Sequence, residues 1–173
     1  MPASPTIPKE GMHLSTIQAA LDRRYRTGPA DDGRFGPRTR KAVVIGLQIE
    51  LNKKYNAGLA TDGVFGPLTK AAIARSLRKG DRGNMVWLLQ AALYGRGYDL
   101  AMDGCFGSAT ERELRAFQRA AGLPVNGIAG PDTFSALLGY RHDYRAPHYG
   151  HGTRVSVTLS GDFDDAHIYV HVR

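Results

Sequence analysis

The chain has 173 residues, with 23 Lys and Arg against 16 Asp and Glu, for a net charge of +7. A hydrophobic fraction of 42% with 23% charged residues is the composition of a folded globular chain and excludes wholesale disorder. The apolar runs stop after a few residues, as at Ala42 to Ile45, so no stretch of about 20 is present to span a membrane.

At the N-terminus, Met1-Pro2-Ala3-Ser4-Pro5-Thr6 lacks the basic and apolar regions of a signal peptide. Residues 1–77 then carry 12 basic and 6 acidic side chains, against 7 and 6 in 78–139 and 4 and 4 in 140–173. That basic excess suits an anionic polymer, either nucleic acid or a wall polymer bearing phosphate and carboxylate, and equally suits a solvated face with no partner. No nucleic-acid-binding motif accompanies the charge, which leaves nucleic acid the weakest of these.

Along the chain one pattern returns. Asp32-Gly33-Arg34-Phe35-Gly36-Pro37-Arg38-Thr39 recurs as Asp62-Gly63-Val64-Phe65-Gly66-Pro67-Leu68-Thr69 and as Asp103-Gly104-Cys105-Phe106-Gly107-Ser108-Ala109-Thr110. A fourth, decayed copy reads Asn126-Gly127-Ile128-Ala129-Gly130-Pro131-Asp132-Thr133. Each copy reads as the entry to a helix. The first glycine supplies positive φ, the second an N-cap, and proline the first helical position. The aspartate is expected to accept from amides of its own loop, the threonine to bond back toward the cap, and the phenylalanines to plug the space between helices.

Between the loops the apolar spacing is helical: Val43, Leu47 and Leu51, then Val86, Leu89 and Leu93, then Leu114, Phe117 and Ala121. Thr16 to Leu21 matches Leu88 to Leu93, and Leu47-Gln48 matches Phe117-Gln118, so the four loops fall into two modules, 9–77 and 78–139. Each module predicts two longer helices and one short one. The first carries about six extra residues between Asn52 and Thr61. Modules of 60–70 residues are near the lower limit for a self-sufficient core, so the two are expected to dock.

Trp87 stands beside its apolar stripe, either to stack on a sugar or to cover the junction between modules. Cys105 is the lone cysteine, which excludes an internal disulfide, and no histidine lies near it in sequence to make it a nucleophile. The tail, 140–173, holds His142, His148, His151, His167 and His171 without a metal-binding helix motif, so no metal site is expected. Alternation over Val155–Leu159 and Ile168–Val172 predicts a β-hairpin with one apolar face, a docking or self-association element.

Residues 78–139 resemble, over their whole length, the three-helix peptidoglycan-binding module of bacterial cell-wall hydrolases and phage endolysins. The matching residues are Lys79-Gly80-Asp81-Arg82-Gly83, Val86, Leu89-Gln90, Asp103-Gly104-Cys105-Phe106-Gly107, Thr110, Phe117-Gln118, Gly122-Leu123, Asn126-Gly127, Gly130-Pro131 and Thr133. Residues 9–77 look like a second, more divergent copy. The resemblance implies a mainly α fold of two tandem modules with a C-terminal hairpin, and non-covalent attachment to peptidoglycan. Its groove would lie beside Asp103, Gly104, Phe106, Gly107 and Thr110, beside Asp32, Gly33, Phe35, Gly36 and Thr39, and by Asp62, Gly63, Asn126 and Gly127. Asn126 in place of aspartate and Ala129 in place of a larger residue depart from the pattern, and any of these loop residues can instead serve the fold alone.

No catalytic constellation is complete in the chain, and no cofactor is implied. Three functions follow: a non-catalytic wall-binding protein, the targeting piece of a longer zinc peptidase, amidase or muramidase, or a virion component anchored by the hairpin. Each places the chain outside the cell, at the wall or on a phage particle, with no membrane partner.

Overall fold

The computed structural model describes residues 13–28, 32–73 and 76–138, together with the backbone of 155–159 and 168–172. Helices α1 (Leu14–Tyr25), α2 (Pro37–Tyr55) and α3 (Pro67–Ala72) are followed by α4 (Asn84–Gly95), α5 (Ser108–Ala120) and α6 (Pro131–Leu138). The fold is mainly helical. None of the described helices is long and apolar enough to cross a membrane.

Helix entry follows from the loop sequence. Gly36 and Gly66 sit at the N-caps in extended backbone, with Pro37 and Pro67 just inside the helix, where a missing N–H leaves nothing unpaired. Gly33 and Gly104 hold φ at 68° and 69°, a turn that a side chain would strain. The threonine does not bond back to the cap as expected: Thr39 donates its hydroxyl to the Arg34 carbonyl at 3.0 Å and Thr69 to that of Val64 at 3.4 Å. The threonine hydroxyl turns toward the loop instead. The extra residues of the first half lengthen α2 to 19 residues where α5 has 13. Asn52 closes the wide return that follows, accepting from the Leu59 amide at 2.7 Å and donating to its carbonyl at 2.9 Å.

The buried apolar residues of both halves make one continuous cluster. α2 packs on α1 and on α4, and α3 packs on α6. At Gly46 in α2, a Cβ would stand 2.9 Å from both Leu88 of α4 and the Tyr25 ring of α1, so three helices close there because the residue has no side chain. Tyr25 donates its hydroxyl to Glu50 at 2.9 Å, and Asn84 donates to the same carboxylate oxygen at 3.1 Å. Burial, and then the Glu50 charge, raise the Tyr25 phenol pKa. Phe35 of the first loop lies directly on Gly95 at the end of α4, with the buried Arg96 guanidinium 5.9 Å from its ring. Arg96 in turn donates to the Leu137 carbonyl at 3.0 Å. Lys70 of α3 pairs with Asp132 of α6 at 2.8 Å, and Leu77 and Ala129 exchange backbone bonds at 3.0 and 2.8 Å.

Trp87 is wholly buried in α4, which packs on helices of both halves, so stacking on a sugar is closed to it. Phe106 is buried, while Phe35 and Phe65 are half-buried against the core. In the tail, strands β1 (Val155–Leu159) and β2 (Ile168–Val172) pair antiparallel, Val157 opposite Val170. His142, His148, His151 and His167 lie outside the described residues, and the docking role expected of the tail rests on the sequence alone.

Candidate functional site

Four glutamines are buried on the inner faces of the helices: Gln18 in α1, Gln48 in α2, Gln90 in α4 and Gln118 in α5. A buried amide must find partners for its donors and its acceptor, and each glutamine finds them in the loop that follows. Gln90 Nε2 donates to Oδ1 of Asp103 at 2.9 Å, to the Cys105 carbonyl at 3.1 Å and to Oγ1 of Thr110 at 3.0 Å. With two hydrogens for three oxygens, these bonds are shared. Its Oε1 accepts from the Gly104 amide at 2.9 Å.

The first loop repeats the arrangement atom for atom. Gln18 reaches Asp32, the Arg34 carbonyl and Thr39 at 2.9, 3.0 and 2.7 Å and accepts from Gly33 at 3.0 Å. Gln48 reaches Asp62, the Val64 carbonyl and Thr69 at 3.1, 3.1 and 3.0 Å and accepts from Gly63 at 3.0 Å. Gln118 reaches Asn126, the Ile128 carbonyl and Thr133 at 3.0, 2.9 and 3.3 Å and accepts from Gly127 at 3.0 Å. The aspartate closes its own turn as expected, with Oδ1 accepting from the amide two residues on: Arg34, Val64 and Cys105 at 3.0, 2.9 and 2.9 Å.

These clamps fix where each expected binding residue stands. Thr39, Thr110 and the amides of Gly33, Gly63, Gly104 and Gly127 are consumed within the fold. Phe106 is buried, Phe35 faces α4, and Gly36 and Gly107 are half-exposed helix caps. Asp32, Asp62, Asp103 and Asn126 are exposed, and the described bonds to each aspartate use Oδ1 alone. The Gln18 amide, followed by the Arg34 backbone amide, holds the Asp32 carboxyl below the usual range. The Val64 amide, followed by Gln48, does so for Asp62.

Sequence reasoning aligned the glutamines as repeat positions but missed what they do. The available signal was a polar residue at a fixed place in an apolar stripe, 14, 14, 13 and 8 residues before the loop it holds. A cleft of about 430 Å³ opens beside the first loop, lined by His13, Leu14, Gly33, Tyr94, Tyr98 and Asp99 among others. Among the described residues, no three His, Cys, Asp or Glu side chains converge to hold a metal ion.

Residues 82–137 match the family model of the peptidoglycan-binding domain. The chain is also 41% identical over 75 residues to the zinc D-Ala-D-Ala carboxypeptidase of Streptomyces albus G. That similarity covers 42% of this chain and 29% of the enzyme, so the chain spans less than a third of the relative's length. No solved structure matches the chain.

Proposed function

We propose that the chain binds bacterial cell-wall peptidoglycan without acting on it, and holds an attached or associated activity at the wall. The observation that carries this is the match of residues 82–137 to the peptidoglycan-binding domain. The similarity to a carboxypeptidase favours the form in which the chain is the targeting part of a longer wall hydrolase. Residues 9–77 are the second copy, a reading supported by the identical clamps of Gln18 and Gln48. The site lies along the loop surfaces. The clamps leave Oδ2 of Asp32, Asp62 and Asp103 to accept from hydroxyls or amides of the wall, with Asn126 and the half-exposed Gly36 and Gly107 beside them. Such a shallow surface binds a single wall fragment weakly, and two linked copies on one polymer gain through effective concentration.

The test is a titration of the isotope-labelled chain with soluble fragments from muramidase-digested peptidoglycan, followed by amide chemical shifts. Shifts confined to the 32–39, 62–69, 103–110 and 126–133 loops support the site. No shifts at millimolar fragment, or shifts confined to other surfaces, contradict it.

A further inference from the structure

The two halves share a hydrogen-bond frame but not a charge. The offset of 71 residues that relates Asp32 to Asp103 pairs Arg34 with Cys105, Arg38 with Ala109 and Lys41 with Arg112. In the first half all three positions are exposed cations. In the second the single cation, Arg112, is tied to its neighbour Glu113 at 3.0 Å. Arg38 and Lys41 stand three apart and share a face of α2, and Arg34 sits in the loop that feeds the helix. The stem of Lys41 lies against Gly63, so this basic face runs from the first loop to the second. Asp32 and Asp62 border it as ionised carboxylates, Asp32 beside Arg34 and Asp62 beside Lys41, and leave the face with a smaller positive excess. Over the whole halves the balance is +6 for residues 1–77 and +1 for 78–139. Exposed cations in excess of the carboxylates beside them repel one another and add little to the fold, and their value lies in what they attract.

We propose that this face of the first half also binds a phosphodiester polyanion of the cell wall, a polymer of the teichoic-acid type, beside the peptidoglycan contact made by the loops of both halves. The choice of occupant rests on the wall-binding reading above. Exposed cations act on such a polymer through screened, additive contacts, so binding weakens as salt rises.

The experiment uses the full chain and three ligands: walls retaining teichoic acid, the same walls stripped of it, and the released soluble polymer. Variants are Arg34→Glu/Arg38→Glu/Lys41→Glu and the milder Arg34→Ala/Arg38→Ala, each checked for an unchanged melting curve. The triple variant is expected to bind native walls and soluble polymer roughly tenfold or more weakly, with a flatter salt dependence, and to lose much less on stripped walls, where the loops of the second half still hold. The double variant is expected to fall between. Parent-like binding of both variants to the soluble polymer overturns the proposal, as does equal or tighter binding of duplex DNA. If the parent ignores stripped walls yet binds the polymer through these residues, peptidoglycan recognition fails and the polyanion site stands.

Discussion

Asn126 does in its loop what Asp103 does in the loop before. Asn126 Oδ1 accepts from Gln118 at 3.0 Å and from the Ile128 amide at 2.9 Å, and Asp103 Oδ1 accepts from Gln90 and the Cys105 amide, both at 2.9 Å. The clamp therefore forms around an acceptor oxygen at this position whether that oxygen belongs to an amide or to a carboxylate. Asp103→Asn is expected to change stability by less than about 0.5 kcal/mol, whereas Asp103→Ala, which removes the acceptor, costs about 1–2 kcal/mol. Urea denaturation of the two variants checks this, and equal losses would show that the charge itself matters to the fold.

The glutamine is the costlier half of the pair. Gln90→Ala strands the buried Gly104 amide and the Thr110 hydroxyl as well as opening a cavity, so about 3 kcal/mol of stability is expected to go. Gln90→Glu keeps the acceptor for Gly104 but sets a second carboxylate against Asp103. It is expected to be the worse variant at neutral pH and to recover relative to Gln90→Ala as the pH falls toward 4. A urea midpoint that does not move with pH in Gln90→Glu would show that no charge clash exists there.

Acid sensitivity follows from the first half. The Asp32 and Asp62 carboxyls are held below their unfolded value by hydrogen bonds made only in the folded chain. A depressed folded pKa contributes stability that is present above the unfolded pKa, about 4, and is lost as pH falls through the lower folded value. Stability is expected to decline below about pH 4, and the decline to shrink in Asp32→Asn/Asp62→Asn. Thermal melts from pH 5 down to 2 measure it. An identical pH profile for parent and variant would contradict the assignment.

Gly95 joins the halves through Phe35. A Cβ at Gly95 would enter the Phe35 ring, so Gly95→Ala is expected to cost about 1–3 kcal/mol by forcing the ring off α4. Because the cost arises from one contact, Phe35→Leu in the same chain should recover part of it. Strict additivity of the two substitutions would mean that the ring is not what the new methyl meets.

The loops were legible because their demands are local. Gly33 and Gly104 are needed for positive φ, Pro37 and Pro67 for helix entry, and Asp32 for its own turn, all within eight residues of sequence. The helices were legible from stripes such as Val43, Leu47 and Leu51. What the sequence hid is long-range. The seat of Phe35 on Gly95, the pairing of Lys70 with Asp132 and the burial of Trp87 depend on how distant helices meet, which no short pattern records. The glutamines fell between: their spacing was visible, but a polar residue on an apolar stripe looks the same whether it faces water or reaches into a loop. That is also why Thr39, read as a cap partner, belongs to Gln18.

The central claim is specific attachment to the wall through the clamped loops. It is tested most directly by pelleting the full chain with purified, teichoic-acid-free peptidoglycan sacculi at low and at moderately high salt. The parent is expected to pellet at both. Asp32→Asn/Asp62→Asn/Asp103→Asn, which keeps every clamp, is expected to remain folded and stay in the supernatant. A parent chain that fails to pellet at either salt, or an Asn variant that pellets as well as the parent, would contradict the account.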